Sequence, residues 1–191
     1  MSKRKPRYDY RLDSRGIKEL SSEEIKAILR ASDELIAEGG RSLLAKILKG
    51  SKDKRVLKHG LENCPVYGFY RYLTLDEITK RVDWMINNKY LEIEYAGQMP
   101  VIVFSEMGWE IERETYAEEL LQKLQYSLNS GNYSFVFDLK ERDRGMILLL
   151  IKKIENTHNS RFIPLLKDWQ DIDYKKVQAA LQRVIDLLED K

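Results

Sequence analysis

The order of predicted elements between Arg41 and Glu110 constrains the fold of this chain more than any other feature. Two short helical segments are followed by an aromatic linker (Pro65 to Tyr72), a longer amphipathic helix, and two strands joined by a tight loop. This succession is the element order of a winged helix-turn-helix domain. The sequence therefore predicts a mainly α-helical protein with one small β-hairpin.

A helix with a clear start is predicted ahead of this segment. Ser21 and Glu24 form a capping box, in which each side chain bonds the other residue's amide. Gly39-Gly40 ends this helix, and its apolar face consists of Ile25, Ile28, Leu29, Leu35 and Ile36. Residues 1–20 show no hydrophobic periodicity and hold six basic residues before Gly16. We expect them to form a flexible basic arm.

Cations cluster where the second short helix of the winged segment begins. Gly50 ends the first short helix, which carries Leu43, Leu44, Ile47 and Leu48. Ser51 is a suitable N-cap for the second, which is expected from Lys52 to about Leu61. Its first turns hold four cations, namely Lys52, Lys54, Arg55 and Lys58. Cations there oppose the helix macrodipole, whereas free amides, a serine hydroxyl and cations together favour an anion. This placement indicates a phosphate-binding function.

The helix expected after Thr74 has a surface poorly suited to reading bases. Thr74 and Glu77 form a second capping box, and the core stripe comprises Leu75, Ile78, Val82, Met85 and Ile86. The outward face is mixed in charge, with Asp76, Glu77, Lys80, Arg81 and Asp83. Because carboxylates are repelled by phosphates, this helix is a poor candidate for the major groove.

The hairpin that follows is the predicted wing. Leu91, Ile93 and Tyr95 alternate with two glutamates, residues 96–100 form the loop, and residues 101–104 return. Tyr95 and Met99 place apolar groups near the tip. Two interpretations of this pair stay open, namely contact with nucleic acid and packing over the edge of the sheet.

Charge is distributed unevenly along the chain. The formal net charge is only +2, but residues 1–60 carry +7 and residues 61–191 carry −5. This asymmetry suggests that the first third faces a polyanion. A solvated charged surface would give the same asymmetry, so charge alone leaves both interpretations open.

After Glu110 the pattern becomes helical. Thr115 and Glu118 form a third capping box, the stretch SGNYSFVFDLK is ambiguous between strand and short helix, and the remaining segments predict a small helical bundle. The last part weakly resembles a HEAT-type repeat, through Pro164, Asp171, Val177, Ala180 and Leu181. We expect three regions: a basic arm over 1–20, a winged-helix domain over 21–112, and a helical region over 113–191. Trp84 is expected to contact that last region, because its helical position predicts exposure.

Several chemistries find no support in the sequence. His59 and His158 lack a second ligand at metal-binding spacing, the single cysteine Cys64 has no catalytic partner, and no phosphate-binding loop occurs. We therefore expect no catalytic residues, metal or cofactor, and a protein that is not an enzyme. No apolar run is long enough to span a membrane, and the basic start lacks a signal-peptide pattern. A cytoplasmic protein is expected, associated with the nucleoid when bound to DNA.

The winged segment resembles the RQC module of RecQ-family helicases. The similarity lies in LLAKILKGSKDKRVLKHGL, PVYG, LTLDEITKRVDWMINNKYLE and VIVFSEMGWE, in that order. It is similar above all to the stand-alone bacterial group described as RQC-minor DNA-binding proteins. The helicase core and the four cysteines of the zinc subdomain are absent from the sequence, so the resemblance does not extend to ATP-driven unwinding.

The resemblance implies a docking mode. RQC modules hold the duplex backbone at the start of the second helix and place the wing at the duplex end, without an ordinary groove-reading helix. We therefore expect binding to duplex or structured DNA, with preference for ends, forks or junctions and little base readout. The expected contacts are Arg41, Ser51, Lys52, Lys54, Arg55, Lys58, Tyr95 and Met99.

Two rival functions remain open at this stage. A sequence-specific transcriptional regulator would insert the helix after Thr74 into the major groove, with Lys80 and Arg81 as its readers. A protein-interaction scaffold would instead bind a protein partner through the C-terminal helices.

Overall fold

The computed structural model describes residues 11–190, which form two compact units that divide between Glu112 and Arg113. The helices are α1 (Ser22–Asp33), α2 (Arg41–Lys49), α3 (Lys54–Lys58), α4 (Leu75–Asn87), α5 (Glu106–Ser130), α6 (Arg144–Thr157), α7 (Ile163–Ile172) and α8 (Lys175–Glu189). Strands β1 (Leu91–Ala96) and β2 (Met99–Phe104) form an antiparallel hairpin. The expected mainly α-helical fold with one small hairpin is confirmed.

Helix α1 begins as predicted but ends early. The Glu24 amide donates to Ser21 Oγ at 3.2 Å, and the Ser21 amide donates to Glu24 Oε2 at 2.9 Å. The helix stops at Asp33, before the predicted Gly39-Gly40. The reason is that the following backbone pairs with β2: the Ala37 amide donates to the Ile102 carbonyl, and the Ile102 amide donates to the Gly39 carbonyl. This pairing attaches the wing to the segment that leads into α2.

Two glycines allow α2 to meet the linker that follows α3. Gly50 ends α2 with a φ of 74°, and a Cβ on it would lie 3.0 Å from the Gly68 Cα. The Gly68 amide donates to the Ile47 carbonyl at 3.0 Å. Only glycine combines this backbone angle with so close an approach. The fold therefore requires the glycine of LKGS and the glycine of YG.

Helix α4 supplies most of the predicted core stripe. Its capping box at Thr74 and Glu77 is present, and Ile78, Val82, Met85 and Ile86 are buried. Leu75 is 43% exposed, because it occupies the first helical position, beyond the edge of the core. Asp83, expected on the outward face, is instead buried. Its carboxylate is satisfied by neighbours described below.

One hydrophobic core closes the first unit. Every element from α1 to β2 contributes a fully buried apolar side chain, among them Ile28, Leu44, Val56, Met85, Leu91 and Ile102. At about 1.5–3 kcal/mol for each such side chain, this burial holds the short helices in place. Isolated helices of this length are marginal in water.

Part of the expected basic arm is anchored to this core. Leu12 and Ile17 pack against the core, Leu20 is buried, and the Asp13 amide donates to Asp83 Oδ2 at 2.8 Å. The expectation of a flexible arm is therefore corrected for residues 11–20. Residues 1–10, which hold four of the six basic residues, lie outside the described residues.

The second unit is helical and has its own core. The ambiguous stretch forms a 3-10 helix, Ser134–Leu139, with Val136 and Leu139 buried. Helix α8 packs against both α6 and α7, around the fully buried side chain of Trp169. The Trp169 Nε1 donates to Asp173 Oδ2 at 2.8 Å, which satisfies its one polar atom. The resemblance to a HEAT repeat stays a prediction.

Trp84 contradicts its expected exposure. Its side chain is buried within the first unit, where it stacks on Tyr90 with ring centroids 5.9 Å apart. The helical pattern missed this partner because Tyr90 lies beyond the end of α4. Trp84 therefore belongs to the core of the winged helix.

Candidate nucleic-acid interface

Asp53, rather than Ser51, caps α3. The Arg55 amide donates to Asp53 Oδ1 at 2.9 Å, whereas the Ser51 hydroxyl accepts from the Asp53 amide at 3.3 Å. The helix spans five residues instead of extending from Lys52 to about Leu61, because Gly60 adopts a φ of 67° and begins a separate 3-10 turn. The expected anion site of free amides and a serine hydroxyl is corrected accordingly. A carboxylate occupies the helix start.

That carboxylate also neutralises one cation of α2. Lys46 Nζ lies 2.7 Å from Asp53 Oδ2. This hydrogen bond, followed by that from the Arg55 amide, lowers the pKa of Asp53 below its ordinary value. The ionised carboxylate therefore joins α2 to α3 through Lys46.

The four predicted phosphate-binding cations remain accessible. Lys52, Lys54, Arg55 and Lys58 are all exposed. Within residues 11–190, none of their side-chain nitrogens has a carboxylate oxygen within 4.0 Å. The fully buried Val56 fixes α3 to the core, so the cations around it are held at the surface. They form a compact positive patch, which we call the α3 patch.

Arg41 has a different environment. Its guanidinium forms an ion pair with the buried Asp83 carboxylate, which also accepts from the Asp13 amide. A buried carboxylate needs such partners, because leaving it unpaired costs several kcal/mol. The geometry gives Arg41 a structural role that its sequence position did not reveal.

A cleft of about 220 Å³ joins α3 to the wing. Arg55 lines it from α3, Arg41 and Ser42 line it from the start of α2, and Met99 and Pro100 line it from β2. Three of the predicted site residues, Arg41, Arg55 and Met99, are therefore neighbours in space. The cleft is open to solvent, and its lining combines the two arginines with one carboxylate, Glu38, and apolar wing atoms.

The structure separates the two wing residues that the sequence placed together. The turn contains only Gly97 and Gln98, because Ala96 pairs with Met99 and Tyr95 pairs with Pro100. Side chains alternate along a strand and paired residues share a face, so Tyr95 and Met99 lie on opposite faces of the hairpin. Met99 is 61% exposed and Tyr95 46%. Of these two residues, Met99 lines the cleft and Tyr95 does not.

The cations of α4 are engaged by carboxylates. Lys80 Nζ lies 2.7 Å from Asp76 Oδ2, which raises the pKa of the lysine. Arg81 Nε lies 3.4 Å from Glu24 Oε1, and its Nη1 donates to the Glu77 carbonyl at 3.0 Å. Lys80 and Arg81, which the rival regulator would use to read the major groove, therefore already contact Asp76, Glu24 and the Glu77 carbonyl.

Glu24 is the centre of that arrangement. Besides Arg81 and its own cap, it accepts a hydrogen bond of 3.0 Å from the Tyr70 hydroxyl. Burial of this carboxylate raises its pKa, but the hydrogen bonds from Ser21, Tyr70 and Arg81 together bring the pKa below the ordinary value. Burial and the adjacent carboxylate raise the pKa of Tyr70. One carboxylate thus connects α1, the linker and α4.

The SEMGW sequence makes close contacts with the backbone at Tyr90. A Cβ on Gly108 would lie 1.9 Å from the Tyr90 carbonyl, so only glycine fits. The Ser105 hydroxyl accepts from the Gly108 amide at 3.0 Å and donates to that same carbonyl at 3.1 Å. This contact joins the start of α5 to the end of α4.

Sequence reasoning missed three features of this interface. Asp83 was assigned to the surface although it lies within an apolar stripe, and the contact of Lys46 with Asp53 was not foreseen. Tyr72, in the aromatic linker, is 86% exposed. The aromatic content of that linker was the available signal, but periodicity cannot say which ring of an irregular segment faces water.

Comparison with known proteins shows the family of this chain. The model of the RQC domain family matches residues 19–125, more than half of the chain. This chain belongs to the RQC domain family. It is similar to an ATP-dependent DNA helicase RecQ of Bacillus subtilis (strain 168), with 28% identity over 69 residues. Those residues are 36% of this chain and 12% of the helicase, so the chain matches only a small part of that relative. No solved structure matches.

Membership in this family confirms the resemblance and indicates nucleic-acid binding in general. In the part of the chain that the structure describes, no helix is long and apolar enough to cross a membrane. Across residues 11–190, no three histidine, cysteine or acidic side chains are grouped as a metal site.

Proposed function

We propose that this protein binds duplex DNA without catalysing a reaction on it, and that the α3 patch holds the phosphate backbone. The observation that carries the proposal is the difference in pairing. The side chains of Lys52, Lys54 and Arg55 are exposed and form no ion pair within residues 11–190, whereas the cations of α4 are ion-paired. Cations that are free before binding can replace the counterions of DNA without first breaking an internal contact.

The wing supports a preference for DNA ends, forks or junctions. Met99 is exposed beside the turn and faces the cleft that Arg55 also lines. Glu92 and Glu94 share its face of the hairpin and would repel a phosphate backbone running along the wing. An apolar tip beside carboxylates suits the flat face of a terminal base pair better than it suits a groove wall.

Little base readout is expected. Direct readout requires side-chain donors and acceptors at base edges. Because Lys80 and Arg81 are already ion-paired, a base edge would have to compete with these carboxylates for the two side chains. The same observation counts against the sequence-specific regulator.

The decisive experiment measures affinity for blunt duplex, forked duplex and single-stranded DNA at two salt concentrations by fluorescence anisotropy. Changing Lys52, Lys54 and Arg55 together to alanine should weaken duplex binding roughly a hundredfold and make the slope of log K against log salt shallower by about 2.7. The loss should be equal for unrelated sequences. Changing Lys152, Lys175 and Lys176 to alanine is the matched control, since these exposed lysines of the second unit carry the same total charge.

Two outcomes would contradict the proposal. An equal effect of the two triple variants would mean that net charge, rather than the α3 patch, governs binding. Failure of the unaltered protein to bind any nucleic acid at low salt would favour the scaffold, with a protein partner for the C-terminal helices.

A further inference from the structure

Tyr72 is the most exposed large apolar or aromatic side chain among the described residues, at 86%. We propose that it is a stacking platform for an unpaired base of a strand whose backbone the α3 patch holds. This inference rests on the proposed function and adds a single-strand contact to it. Neither the wing nor the groove surface of α4 includes this residue.

The exposure of Tyr72 is selective. The linker holds three other aromatic residues, of which Tyr67 and Phe69 are partly buried against the core and Tyr70 is buried. Tyr70 also donates to Glu24, so its hydroxyl has a partner. The segment therefore packs three rings on the protein and leaves the fourth in water.

The backbone around Tyr72 is held in place. Lys49 Nζ donates to the Arg71 carbonyl at 2.6 Å and to the Leu73 carbonyl at 2.7 Å. The Arg71 amide donates to the Gly68 carbonyl at 3.0 Å, which continues the contact between Gly68 and Gly50. Because these bonds exist on both sides of Tyr72, little backbone entropy remains to be lost when a ligand binds the ring.

The chemistry around the ring suits a nucleotide. The exposed Arg71 guanidinium carbon lies 5.1 Å from the centroid of the Tyr72 ring. The guanidinium lies over one face of the ring, so a base would stack on the opposite face and the cation would attract the phosphate attached to that base. Stacking of this kind tolerates any base, which agrees with the small base readout expected of α4.

Tyr72 also lies within reach of the phosphate-binding cations. Lys49, which bonds both carbonyls that flank it, precedes Lys52 by three residues, at most about 11 Å of chain. A strand leaving a duplex held at the α3 patch can therefore reach the ring within a few nucleotides. The occupant is an unpaired base next to duplex.

The test compares Y72A, Y72W and Y126A on two DNA substrates, a blunt duplex and the same duplex carrying a short thymidine overhang. We expect Y72A to lose roughly tenfold in affinity for the overhang substrate and to keep its affinity for the blunt duplex. Y72W, which preserves an aromatic face, should bind the overhang at least as well as the unaltered protein. Tyr126 is 75% exposed in the second unit, so Y126A is the matched control and should change neither affinity.

Photo-crosslinking adds a direct measurement. With 5-iodouracil in place of an overhang thymine, we expect the crosslinked peptide to contain Tyr72. A crosslink elsewhere, or an equal loss by Y72A on both substrates, would overturn the stacking site. It would leave the proposed function standing if the α3 triple variant still lost its affinity for blunt duplex. Absence of binding to either substrate would overturn both.

Discussion

The α3 patch and the outer face of α4 contain the same kinds of side chain but differ in what those side chains do. Lys54 and Arg55 extend from a helix that is attached to the core by the single residue Val56. Lys80 and Arg81 extend from a helix with a long buried stripe, and both are ion-paired, Lys80 with Asp76 on α4 itself and Arg81 with Glu24 on α1. Within residues 11–190, the side chains of Lys54 and Arg55 form no such ion pair. What distinguishes a candidate nucleic-acid contact from a structural ion pair is whether the cation is already paired within the protein, and not whether it is a lysine or an arginine.

Arg41 gives the largest expected effect and tests the structural side of this comparison. R41A removes the charged partner of the buried Asp83 carboxylate and leaves it only the Asp13 amide of its two partners named above, so the free energy of unfolding should fall by about 3 kcal/mol. Urea denaturation measures this change. R55A, at an exposed position, is the control and should change the stability by no more than about 0.5 kcal/mol. Unchanged stability with weakened DNA binding would show that Arg41 is a DNA contact after all.

A second pair of variants tests the comparison directly in binding. K54A/R55A should weaken duplex binding roughly thirtyfold and make the salt slope shallower by about 1.8, because two phosphate contacts are lost. K80A/R81A removes the same charge from α4 and should have a much smaller effect. Fluorescence anisotropy at several salt concentrations measures both. The reverse ranking, or a sequence preference that K80A/R81A abolishes, would make α4 the DNA-binding helix.

Glu24 tests whether its carboxylate stabilises the fold by holding Arg81 and Tyr70. E24Q keeps the shape of the side chain but loses its charge, so the free energy of unfolding at neutral pH should fall by about 1 kcal/mol. The pKa of Glu24 is lowered in the folded protein. Its contribution is therefore present above the ordinary glutamate pKa of about 4.3 and is lost as the pH falls through the lowered folded value. Denaturation at a series of pH values should show the difference between E24Q and the unaltered protein shrinking in acid; a constant difference would contradict this role.

Asp53 gives the smallest expected effect and sharpens the other side of the comparison. D53N preserves the N-cap, since asparagine caps as well as aspartate, but removes a negative charge beside the α3 patch and releases Lys46. Duplex affinity should rise about threefold, with a salt slope steeper by up to about 0.9. Titration of the variant against the same duplex measures the gain. Weaker binding by a variant of unchanged stability would show that the Lys46–Asp53 pair positions the patch for DNA.

Local signals in the sequence located most elements of the first unit. The capping boxes at Ser21 and Thr74 predicted the starts of α1 and α4, because a cap is a contact between residues three apart. The predicted ends of the helices were less accurate than the predicted starts. Helix α1 stops at Asp33 because its following residues pair with Ile102, a distant partner that no local pattern encodes.

The candidate site was predictable in composition but not in arrangement. The positive cluster can be read directly from the sequence, and the structure leaves all four of its side chains exposed, namely Lys52, Lys54, Arg55 and Lys58. Its cap was misassigned because Asp53 gains from a second bond to Lys46, which belongs to another helix. Tyr95 and Met99 lie on opposite faces of the hairpin because the turn has two residues. A shift of one residue in the strand register would move a side chain to the other face.

The sequence by itself determined the order of elements, most of the hydrophobic faces, the glycine that ends α2 and the presence of a positive cluster. All of these depend on neighbours along the chain or on the properties of single residues. Only the tertiary structure decided which cations are free. Ion pairs such as Arg41–Asp83 and Arg81–Glu24 join residues 42 and 57 positions apart, and they form because packing brings a cation against a buried or half-buried carboxylate. The availability of a charge is therefore a property of the folded arrangement.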